Sequence, residues 1–346
     1  MTNENIIRII KEGYWERTAV VNGTDGQPRI RKESCSNKAE NRPWARLSLL
    51  REINYLKSLE GSAAALFPEF LGSWGEENKS GPIGYEMTFL DGWTDLGDLL
   101  QQGNVDHRII KTLEKNMASM LFNVLYIEQK PTEMLSTHIE TAVELAMRHL
   151  CGKRELAAII ASDSISINGL AVPGLRHSFD AGRRQGILER LNNGPQVRLH
   201  GDLIPENVLI PRSSPLQADE LLFIDPVSVA GVSTGHPLFD LVKYESYAQG
   251  DLFAIRSGAL TATPHANDER LFQLDLKHPE PALENFSRAH LGESLRLEYT
   301  RCYGKPDPNL EHLLLGYFSL VMAINTTGNQ PLTRTLDAAR NWAKLS

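Results

Sequence analysis

A short segment in the second half of the chain constrains this sequence most, because it sets polar residues at fixed distances beside two apolar runs. Residues 198–210 read RLHGDLIPENVLI, and residues 221–226 read LLFIDP. Two apolar runs joined by a polar connection that contains proline and serine are typical of a β-hairpin. A hairpin brings the outer ends of its strands together, so we expect Asn207 and Asp225 to lie side by side.

The residue types at these positions suit a metal ion and the transfer of a phosphoryl group. An amide oxygen and a carboxylate are ligands that Mg²⁺ accepts while it keeps waters and substrate phosphates. Asp202 lies five residues before Asn207 on an irregular loop, where it reaches the same place without being a ligand. A carboxylate beside such a pair orients a hydroxyl group and accepts its proton. The plain alternative is a surface turn with a capping Asn207 and a buried Asp225.

The same motif resembles a known superfamily. His200, Gly201 and Asp202, followed by Asn207 and later by Asp225, resemble the catalytic and metal motifs of the aminoglycoside phosphotransferase and choline kinase superfamily. That superfamily is similar to protein kinases in fold. The resemblance implies that Asp202 is the catalytic base, that Asn207 and Asp225 hold Mg²⁺, and that ATP is the phosphoryl donor.

A second segment carries the resemblance further along the chain. Residues 235–241 read GHPLFDL and resemble the superfamily's Gly-Asp-Pro-x-x-Asp-Leu segment. The resemblance implies that Asp240 supports the catalytic loop, and it gives His200 a structural role in the same loop. Position 236 departs from the pattern because it carries histidine instead of aspartate. We expect this departure to affect local bracing and not the chemistry.

The distribution of strand and helix patterns predicts an α+β fold. Strand patterns at 14–22 and 27–34 flank a Gly-Thr-Asp-Gly turn, and further strand patterns follow at 67–74 and 83–90. An apolar stripe between Trp44 and Leu59 predicts one helix among them. The remaining helices are expected near 106–130, 134–160, 180–192, 238–249, 280–298, 309–325 and 331–344. Only the region 197–229 interrupts these helices with strands.

This order predicts a two-lobed protein-kinase-like fold. We expect a small β-rich N-terminal nucleotide-binding lobe at residues 1–90. A large, mainly helical C-terminal lobe, which holds the catalytic and acceptor-binding residues, is expected at 91–346.

The N-terminal region offers a lysine and a glutamate for the nucleotide phosphates. A kinase holds these phosphates with a strand lysine that is paired to a helix glutamate. Strand alternation places Lys32 on the same face as Ile30, and Glu52 lies beside the apolar stripe of the following helix. We therefore expect Lys32 and Glu52 to form an ion pair. One alternative is that Arg31 binds the phosphates instead, and the other is that Lys32 and Glu52 are both solvated surface charges. No glycine-rich GxGxxG loop is present, and Gly13 is the only glycine before the first strand pattern.

The segment between the two predicted lobes resembles the superfamily's hinge. Residues 85–92 read YEMTFLDG. The resemblance implies that the carbonyl of Thr88 and the amide of Leu90 bond the adenine edge and that Met87 packs behind it. The plain alternative is a strand that ends in a turn.

Composition excludes several other classes of function. The formal net charge of −7 gives no basic surface for a nucleic acid. The three cysteines are widely separated, which disfavours a zinc site and favours a reducing cytoplasm. No apolar run approaches the roughly 18 residues that a membrane span needs. We predict a cytoplasmic enzyme without a nucleic-acid or membrane partner.

The acceptor is expected to be a small molecule that carries a hydroxyl group. Only 14 residues separate Asp225 from Asp240, no Ala-Pro-Glu motif occurs, and Gly201 replaces the arginine that clamps an activation segment in protein kinases. An antibiotic, a sugar, an amino alcohol and a nucleoside-like compound remain open, with Tyr244 and Glu245 as candidate lining residues. Two alternatives to a small-molecule kinase remain: an inactive nucleotide-binding scaffold and a nucleotidyl transferase on the same fold.

Overall fold

The computed structural model describes most of the chain and divides it into two compact units. The described residues are 6–12, 16–35, 42–75, 81–102, 106–131, 134–212, 220–227, 231–248, 251–276, 284–285 and 290–345. The first unit comprises Met1–Asp98, His200–Asp202 and Glu206–Ser233, and the second comprises Leu99–Leu199, Leu203–Pro205 and Thr234–Ser346. The predicted lobe boundary at residue 90 stays a prediction.

The first unit is built on a five-stranded antiparallel sheet. Its strands are β1 (Ile6–Glu12), β2 (Glu16–Asn22), β3 (Pro28–Ser34), β4 (Phe70–Trp74) and β5 (Gly84–Thr88). Their order across the sheet is β1-β2-β3-β5-β4. The predicted hairpin joins β2 to β3, and Gly26 adopts a φ of 76° in its turn, a conformation that glycine reaches without steric cost. Strand β1 is an addition to the predicted set.

The pairing register decides which residues share a face of this sheet. Lys32 on β3 lies opposite Thr18 on β2 and opposite Tyr85 on β5. Directly opposed residues point to the same face, so these three side chains lie together. Arg31 belongs to the other face, where it lies opposite Glu86.

Helix α1 (Arg42–Lys57) follows β3 and packs on the sheet with one apolar face. Most of its buried residues recur every three or four positions, as the helical period requires: Ala45, Leu49, Glu52, Ile53, Tyr55 and Leu56. Leu47 and Leu50 were predicted on this stripe but are only half-buried, because Leu49 occupies its centre. Glu52 is therefore carried on the buried face of α1.

A three-stranded antiparallel sheet completes the first unit. It contains the strands Leu222–Phe223, Val208–Pro211 and Trp93–Asp95, in that order. The first two form the predicted hairpin, with Val208 opposite Phe223. The amide of Phe223 also donates to the carbonyl of Leu66 at 2.8 Å.

The second unit is mainly helical. The described helices that lie in it are His107–Met120 with a π-helical continuation Leu121–Leu125, Leu135–Leu150, Arg154–Ala161, Leu175–Arg184, Ile187–Asn193, Leu238–Ala248, Asp251–Ser257, Glu293–Tyr303, Pro308–Ala323 and Gln330–Trp342. Further short helical segments are Gly61–Ala64, Leu96–Gln102, Pro205–Asn207 and Ala343–Leu345. The patterns at 134–160 and 180–192, predicted as one helix each, are pairs of helices. Residues 277–283 and 286–289, which fall largely in the predicted helix 280–298, lie outside the described part.

The second unit also contains strands that the sequence did not predict. A four-stranded sheet has the order Leu260–His265, Asp268–Leu276, Ser164–Ile167, Leu170–Pro173. A two-stranded ladder pairs Thr234–Gly235 with Val197–Arg198. The expectation that strands interrupt the helices only at 197–229 is therefore wrong.

The core of the second unit is formed by its last two long helices. The indole of Trp342 is fully buried and donates to the carbonyl of Leu313 at 2.9 Å. Gly316 gives the indole its space, because a Cβ at that position would lie 2.1 Å from Nε1 of Trp342. The predicted α+β class is confirmed, with a β-rich N-terminal part and a mainly helical C-terminal part, as predicted for a kinase-like fold. Within the described residues, no helix combines the length and the apolar character needed to cross a membrane.

Candidate active site

The loop from His200 to Asn207 joins the carboxylate of Asp202 to the amide of Asn207. Nδ2 of Asn207 donates to the backbone carbonyl of Asp202 at 2.8 Å and to its Oδ2 at 3.3 Å. The short turn Pro205–Asn207 makes this return of the chain possible. Because its nitrogen points at Asp202, the amide of Asn207 keeps its oxygen for another partner.

His200 ties this loop to the following hairpin. Its Nε2 lies 3.0 Å from the carbonyl of Ile224, and its Nδ1 accepts from the amide of Asp202 at 3.3 Å. Burial lowers the pKa of His200 to about 4, so the ring is neutral and its Nε2–H donates to Ile224. Phe67 stacks on the ring. These contacts are structural, and none of them needs the ring to carry a charge.

The hairpin places Asn207 and Asp225 at neighbouring positions. The amide of Ile224 donates to the carbonyl of Asn207 at 3.0 Å, and Asp225 follows immediately. Asp225 and Val227 have φ values of 53° and 58°. For a β-branched valine such a conformation is a genuine outlier, and backbone strain of this kind concentrates at functional sites. The amide of Val227 is held by the carbonyl of His200 at 2.8 Å.

Gly201 fits a position that no larger residue can occupy without a shift. Its φ is 83°, and a Cβ built there would lie 1.9 Å from the carbonyl oxygen of Val232. The close approach brings the loop against the segment that follows the hairpin. Glycine between His200 and Asp202 is therefore a packing requirement of the loop.

Lys32 is the centre of a buried ionic cluster in the same unit. Its Nζ lies 2.9 and 3.0 Å from the two oxygens of Glu52 and 3.1 Å from Oδ1 of Asp225. A third carboxylate, Glu16 on β2, lies 3.1 Å away. The hydroxyl of Tyr85 donates to Oε1 of Glu52 at 2.8 Å. The predicted partners Lys32 and Glu52 are thus in contact, while Glu16 and Tyr85 were not anticipated.

One ammonium group against three carboxylates gives this cluster an excess of negative charge. Burial alone lowers the pKa of Lys32, but the three carboxylates outweigh it and hold this pKa well above its usual value. Burial raises the pKa of Glu52, against the opposing effect of the Lys32 ammonium, which favours the ionised carboxylate. Against the effect of burial, the Lys32 ammonium holds the pKa of Asp225 below its usual value. Lys32 is therefore charged, and Asp225 is ionised beside it.

The alternative clamp, Arg31, lies on the opposite face of the sheet. Its guanidinium donates to Oε1 of Glu86 at 2.6 Å and lies over the ring of Trp74 at 5.5 Å. Arg29 also donates to Glu86, at 3.2 Å. Arg31 therefore makes its contacts on the other face of the sheet and takes no part in the cluster around Lys32.

The predicted hinge residues lie at the end of β5. Met87 is buried, and the amide of Thr88 donates to the carbonyl of Glu69 at 3.0 Å. The carbonyl of Leu90 accepts from the amide of Trp93 at 3.4 Å, which closes a turn at Gly92, where φ is 74°. The adenine contacts expected here stay predictions. Gly13, the one glycine near the predicted phosphate loop, lies outside the described residues.

Asp240 lies in the second unit and is fully buried. Its Oδ2 accepts from the hydroxyl of Tyr126 at 3.2 Å. Its predicted support of the catalytic loop stays a prediction. His236 uses Nδ1 to accept from the amide of Leu238 at 3.2 Å, at the start of the helix that carries Asp240. Burial lowers the pKa of His236 to about 4.

The candidate acceptor-lining residues are also in the second unit. Tyr244 has no exposed surface, and Glu245 is buried. The Arg296 guanidinium donates to Oε1 of Glu245 at 2.6 Å. Both side chains belong to the packed interior of this unit.

The chemistry of the donors in the first unit fits a divalent cation. An amide oxygen at Asn207 and an ionised carboxylate at Asp225 are hard ligands of the kind that Mg²⁺ prefers. The surplus of carboxylates around Lys32 favours a further positive charge. No group of three or more His, Cys, Asp or Glu residues with metal-binding geometry occurs in the described part of the chain. The two-residue set is consistent with that finding, since one of its members is an asparagine.

Comparison with known proteins gives matches of structure and none of sequence. No family model matches this chain, and no curated protein sequence matches it. A glucosamine kinase in complex with glucosamine, ADP and inorganic phosphate is 11% identical, with 96% of this chain and 91% of that chain covered and a TM-score of 0.43. A choline/ethanolamine kinase family protein from Mesorhizobium loti is 10% identical, with coverages of 97% and 86% and a TM-score of 0.44.

A third structure is amicoumacin kinase hAmiN in complex with AMP-PNP, Ca²⁺ and Ami. It is 9% identical, with 99% of this chain and 90% of that chain covered and a TM-score of 0.47. The names of these neighbours are those of small-molecule kinases. At these identities and scores, the likeness assigns no residue of this chain a role.

Proposed function

We propose that this chain is an ATP- and Mg²⁺-dependent phosphotransferase. It transfers the γ-phosphoryl group of ATP to a hydroxyl group of a small molecule. The observation that supports this most is the convergence of Asp202, Asn207 and Asp225 with the Lys32–Glu52 pair in one compact unit. Residues that are far apart in sequence supply a base, two hard oxygen ligands and a buried cation, which are the parts that phosphoryl transfer needs.

Asp202 is the catalytic base in this proposal. Its carboxylate accepts the proton of the acceptor hydroxyl as that oxygen attacks the γ-phosphorus, while the bond from this phosphorus to the β–γ bridging oxygen breaks and ADP leaves. The bonds from Nδ2 of Asn207 fix the direction of that carboxylate. A base that is held in place before the acceptor arrives loses no orientational freedom during the reaction.

Lys32 binds the nucleotide phosphates, and Glu52 positions Lys32. The bidentate contact with Glu52 and the hydroxyl of Tyr85 hold the ammonium at a fixed place on β3. The backbone of Thr88 and Leu90 binds the adenine edge in this proposal, with Met87 behind it. This role rests on the resemblance of the hinge segment.

Asn207 and Asp225 hold the metal ion. A Mg²⁺ ion bound there neutralises charge on the nucleotide phosphates. Lys32 balances part of the charge of Asp225 at 3.1 Å. Asp225 therefore has one cationic partner already in place.

The acceptor is a small molecule in this proposal because the chain is short where protein kinases carry an activation segment. Antibiotics, sugars, amino alcohols and nucleoside-like compounds form the candidate set. Two other functions use the same residues: an inactive nucleotide-binding scaffold and a nucleotidyl transferase. A scaffold has no use for a base that is held as firmly as Asp202.

An acceptor screen read by mass spectrometry tests the proposal. Purified protein is incubated with Mg²⁺-ATP and a panel of hydroxyl compounds, and each product is compared with a reaction that lacks ATP. The proposal requires a product heavier by one phosphoryl group, together with ADP. A product that carries an adenylyl group would instead identify a nucleotidyl transferase. Nucleotide binding without any product across a broad panel would favour the scaffold.

A further inference from the structure

Carboxylates crowd the ammonium group of Lys32: its hydrogen bonds go to both oxygens of Glu52 and to Asp225, and Glu16 adds an ion pair. A lysine side chain carries three N–H donors. Three carboxylates surround it at hydrogen-bonding distance, from Glu52 at 2.9 Å and from Asp225 and Glu16 at 3.1 Å each. Only 3% of the Lys32 side chain is exposed. A nucleotide phosphate can bind this ammonium only if one carboxylate moves away.

The three carboxylates are not equally easy to displace. Glu52 is 4% exposed, makes a bidentate contact with Lys32 and is held by Tyr85. The backbone on both sides of Asp225 is fixed by hydrogen bonds: the amide of Ile224 donates to the carbonyl of Asn207, and the amide of Val227 donates to the carbonyl of His200. Both are also required by the proposed chemistry.

Glu16 differs from them in its position and in its contacts. It is the first residue of β2, and 19% of its side chain is exposed, against 4% for Glu52 and 25% for Asp225, so its contacts and not its exposure distinguish it from Asp225. Of the residues that the structure describes, only Lys32 forms an ion pair with it. Its place follows from the sheet register, because Thr18 lies opposite Lys32 and Glu16 lies two residues before Thr18 on the same face.

We infer that Glu16 and a nucleotide phosphate compete for the same place on Lys32. Binding of the nucleotide then exchanges one anion for another on the same ammonium group. Glu16 is neither a base nor a metal ligand in this account, and it acts by competing with the substrate. The inference rests on the proposed function, since it assumes that Lys32 binds nucleotide phosphates.

Two consequences follow from this exchange. Glu16 adds its carboxylate to those of Glu52 and Asp225 around Lys32 when no nucleotide is bound. It also weakens nucleotide binding, because the ion pair between Glu16 and Lys32 must break first. Removing the charge of Glu16 should therefore strengthen the binding of phosphate-bearing ligands and leave phosphate-free ligands unaffected.

The test measures ligand affinity by calorimetry in the full chain. The variant Glu16→Gln keeps the size of the side chain and removes its charge. Glu33→Gln is the matched control: it makes the same change of charge on the same sheet, but Glu33 pairs with Arg17 on the opposite face. The probes are Mg²⁺-ADP, Mg²⁺ with inorganic triphosphate, and adenosine.

The expected result is a selective gain in affinity. Glu16→Gln should bind Mg²⁺-ADP and inorganic triphosphate about tenfold more tightly than the wild type, which is about 1.4 kcal/mol. Its affinity for adenosine should not change, and Glu33→Gln should match the wild type for all three probes. Glu16→Asp, which keeps the charge on a shorter side chain, should lie between the wild type and Glu16→Gln.

Three outcomes would overturn the inference, and they separate it from the proposed function. Unchanged or weaker binding of Mg²⁺-ADP by a folded Glu16→Gln variant would refute the role of Glu16 while leaving a nucleotide site. An equal gain for adenosine would show that Glu16 acts on the fold and not on the phosphates. If the wild type and all three variants bind no phosphate-bearing probe, the proposed function fails, and the inference fails with it. Thermal unfolding without ligand shows whether each variant is folded.

Discussion

Lys32 and Asp225 form an ion pair at 3.1 Å although 193 positions separate them in the sequence. The contact joins the five-stranded sheet to the hairpin that follows the catalytic loop, within one compact unit. The lysine thus balances charge on a residue that the proposed mechanism assigns to the metal ion. In the proposed mechanism, the pair connects the residue that binds the nucleotide phosphates to a residue that holds the metal ion.

Lys32 should be required for stability as well as for nucleotide binding. Lys32→Met leaves three carboxylates without their cation, and removing one partner of a buried ion pair costs about 3–5 kcal/mol. We expect a loss in this range, measured by urea unfolding, together with a loss of nucleotide affinity. Lys57→Met at the exposed end of α1 is the control and should change stability by less than about 0.5 kcal/mol. Equal effects of the two variants would contradict the cluster.

Part of the loss in Lys32→Met should be recovered by removing a second charge. The double variant Lys32→Met with Glu52→Gln leaves one fewer buried carboxylate. It should be more stable than the single variant, because the two positions are in direct contact and their effects are not additive. Strict additivity would show that the two side chains do not interact.

Gly201→Ala should lower the free energy of unfolding by more than the positive φ at this position alone would cost. Its φ of 83° costs an alanine about 1–2 kcal/mol, and its Cβ would also lie 1.9 Å from the carbonyl oxygen of Val232. Gly26→Ala is the matched control, because φ is 76° there and no atom lies within 4 Å of the added Cβ. The difference between the two losses in unfolding free energy measures the cost of the steric overlap between the added Cβ and the carbonyl oxygen of Val232. A Gly201→Ala loss no larger than that of Gly26→Ala would refute the close contact.

His236 should make the protein sensitive to acid. Burial lowers its pKa from 6.5 to about 4, so the unfolded chain binds the proton first as the pH falls. The stabilisation from the neutral ring is complete above pH 6.5 and is lost as the pH falls through about 4, at about 1.4 kcal/mol per pH unit between those values.

The variant His236→Asn tests this assignment. The asparagine oxygen accepts from Leu238 without titrating, so stability between pH 6.5 and 4 should fall less steeply than in the wild type. Urea unfolding at several pH values measures the slope. An identical slope in the wild type and the variant would show that His236 is not the group that titrates.

The metal ligands should couple nucleotide affinity to the divalent cation. In the wild type, Mg²⁺ should strengthen ADP binding, because it adds contacts with Asn207 and Asp225. Asp225→Asn removes the ionised ligand, and the gain from Mg²⁺ should fall about tenfold. Asp25→Asn, in the turn between β2 and β3, is the control and should keep the full gain. Calorimetry with and without Mg²⁺ separates these outcomes, and an undiminished gain in Asp225→Asn would contradict its role.

The sequence predicted those parts of the fold that have strong local signals. The hairpin of β2 and β3 has a glycine-rich turn, and α1 has an apolar stripe. Strand β1 was missed because Ile7, Ile9 and Ile10 are about half-exposed and so follow no buried pattern.

The hairpin around Asn168 and Gly169 did carry a signal. Both residues have positive φ values, as an Asn-Gly turn requires, and that dipeptide was overlooked.

The site was predictable where residue type and local spacing decide it. Asp202, Asn207 and Asp225 stand out because a hairpin and a short loop bring them together. Glu16 was missed because its position depends on the register between strands, which a single sequence does not fix. Tyr85 was missed because its hydroxyl reaches Glu52 only after α1 has packed on the sheet.

The most direct test of the account is a comparison of wild type and Asp202→Asn with the same acceptor. Nucleotide affinity and the rate of phosphoryl transfer are measured in parallel, by calorimetry and by mass spectrometry. The account predicts that Asp202→Asn binds Mg²⁺-ADP as the wild type does but transfers phosphoryl groups at least about 100-fold more slowly. A variant that binds nucleotide and keeps the wild-type rate would show that Asp202 is not the base and would contradict the central claim.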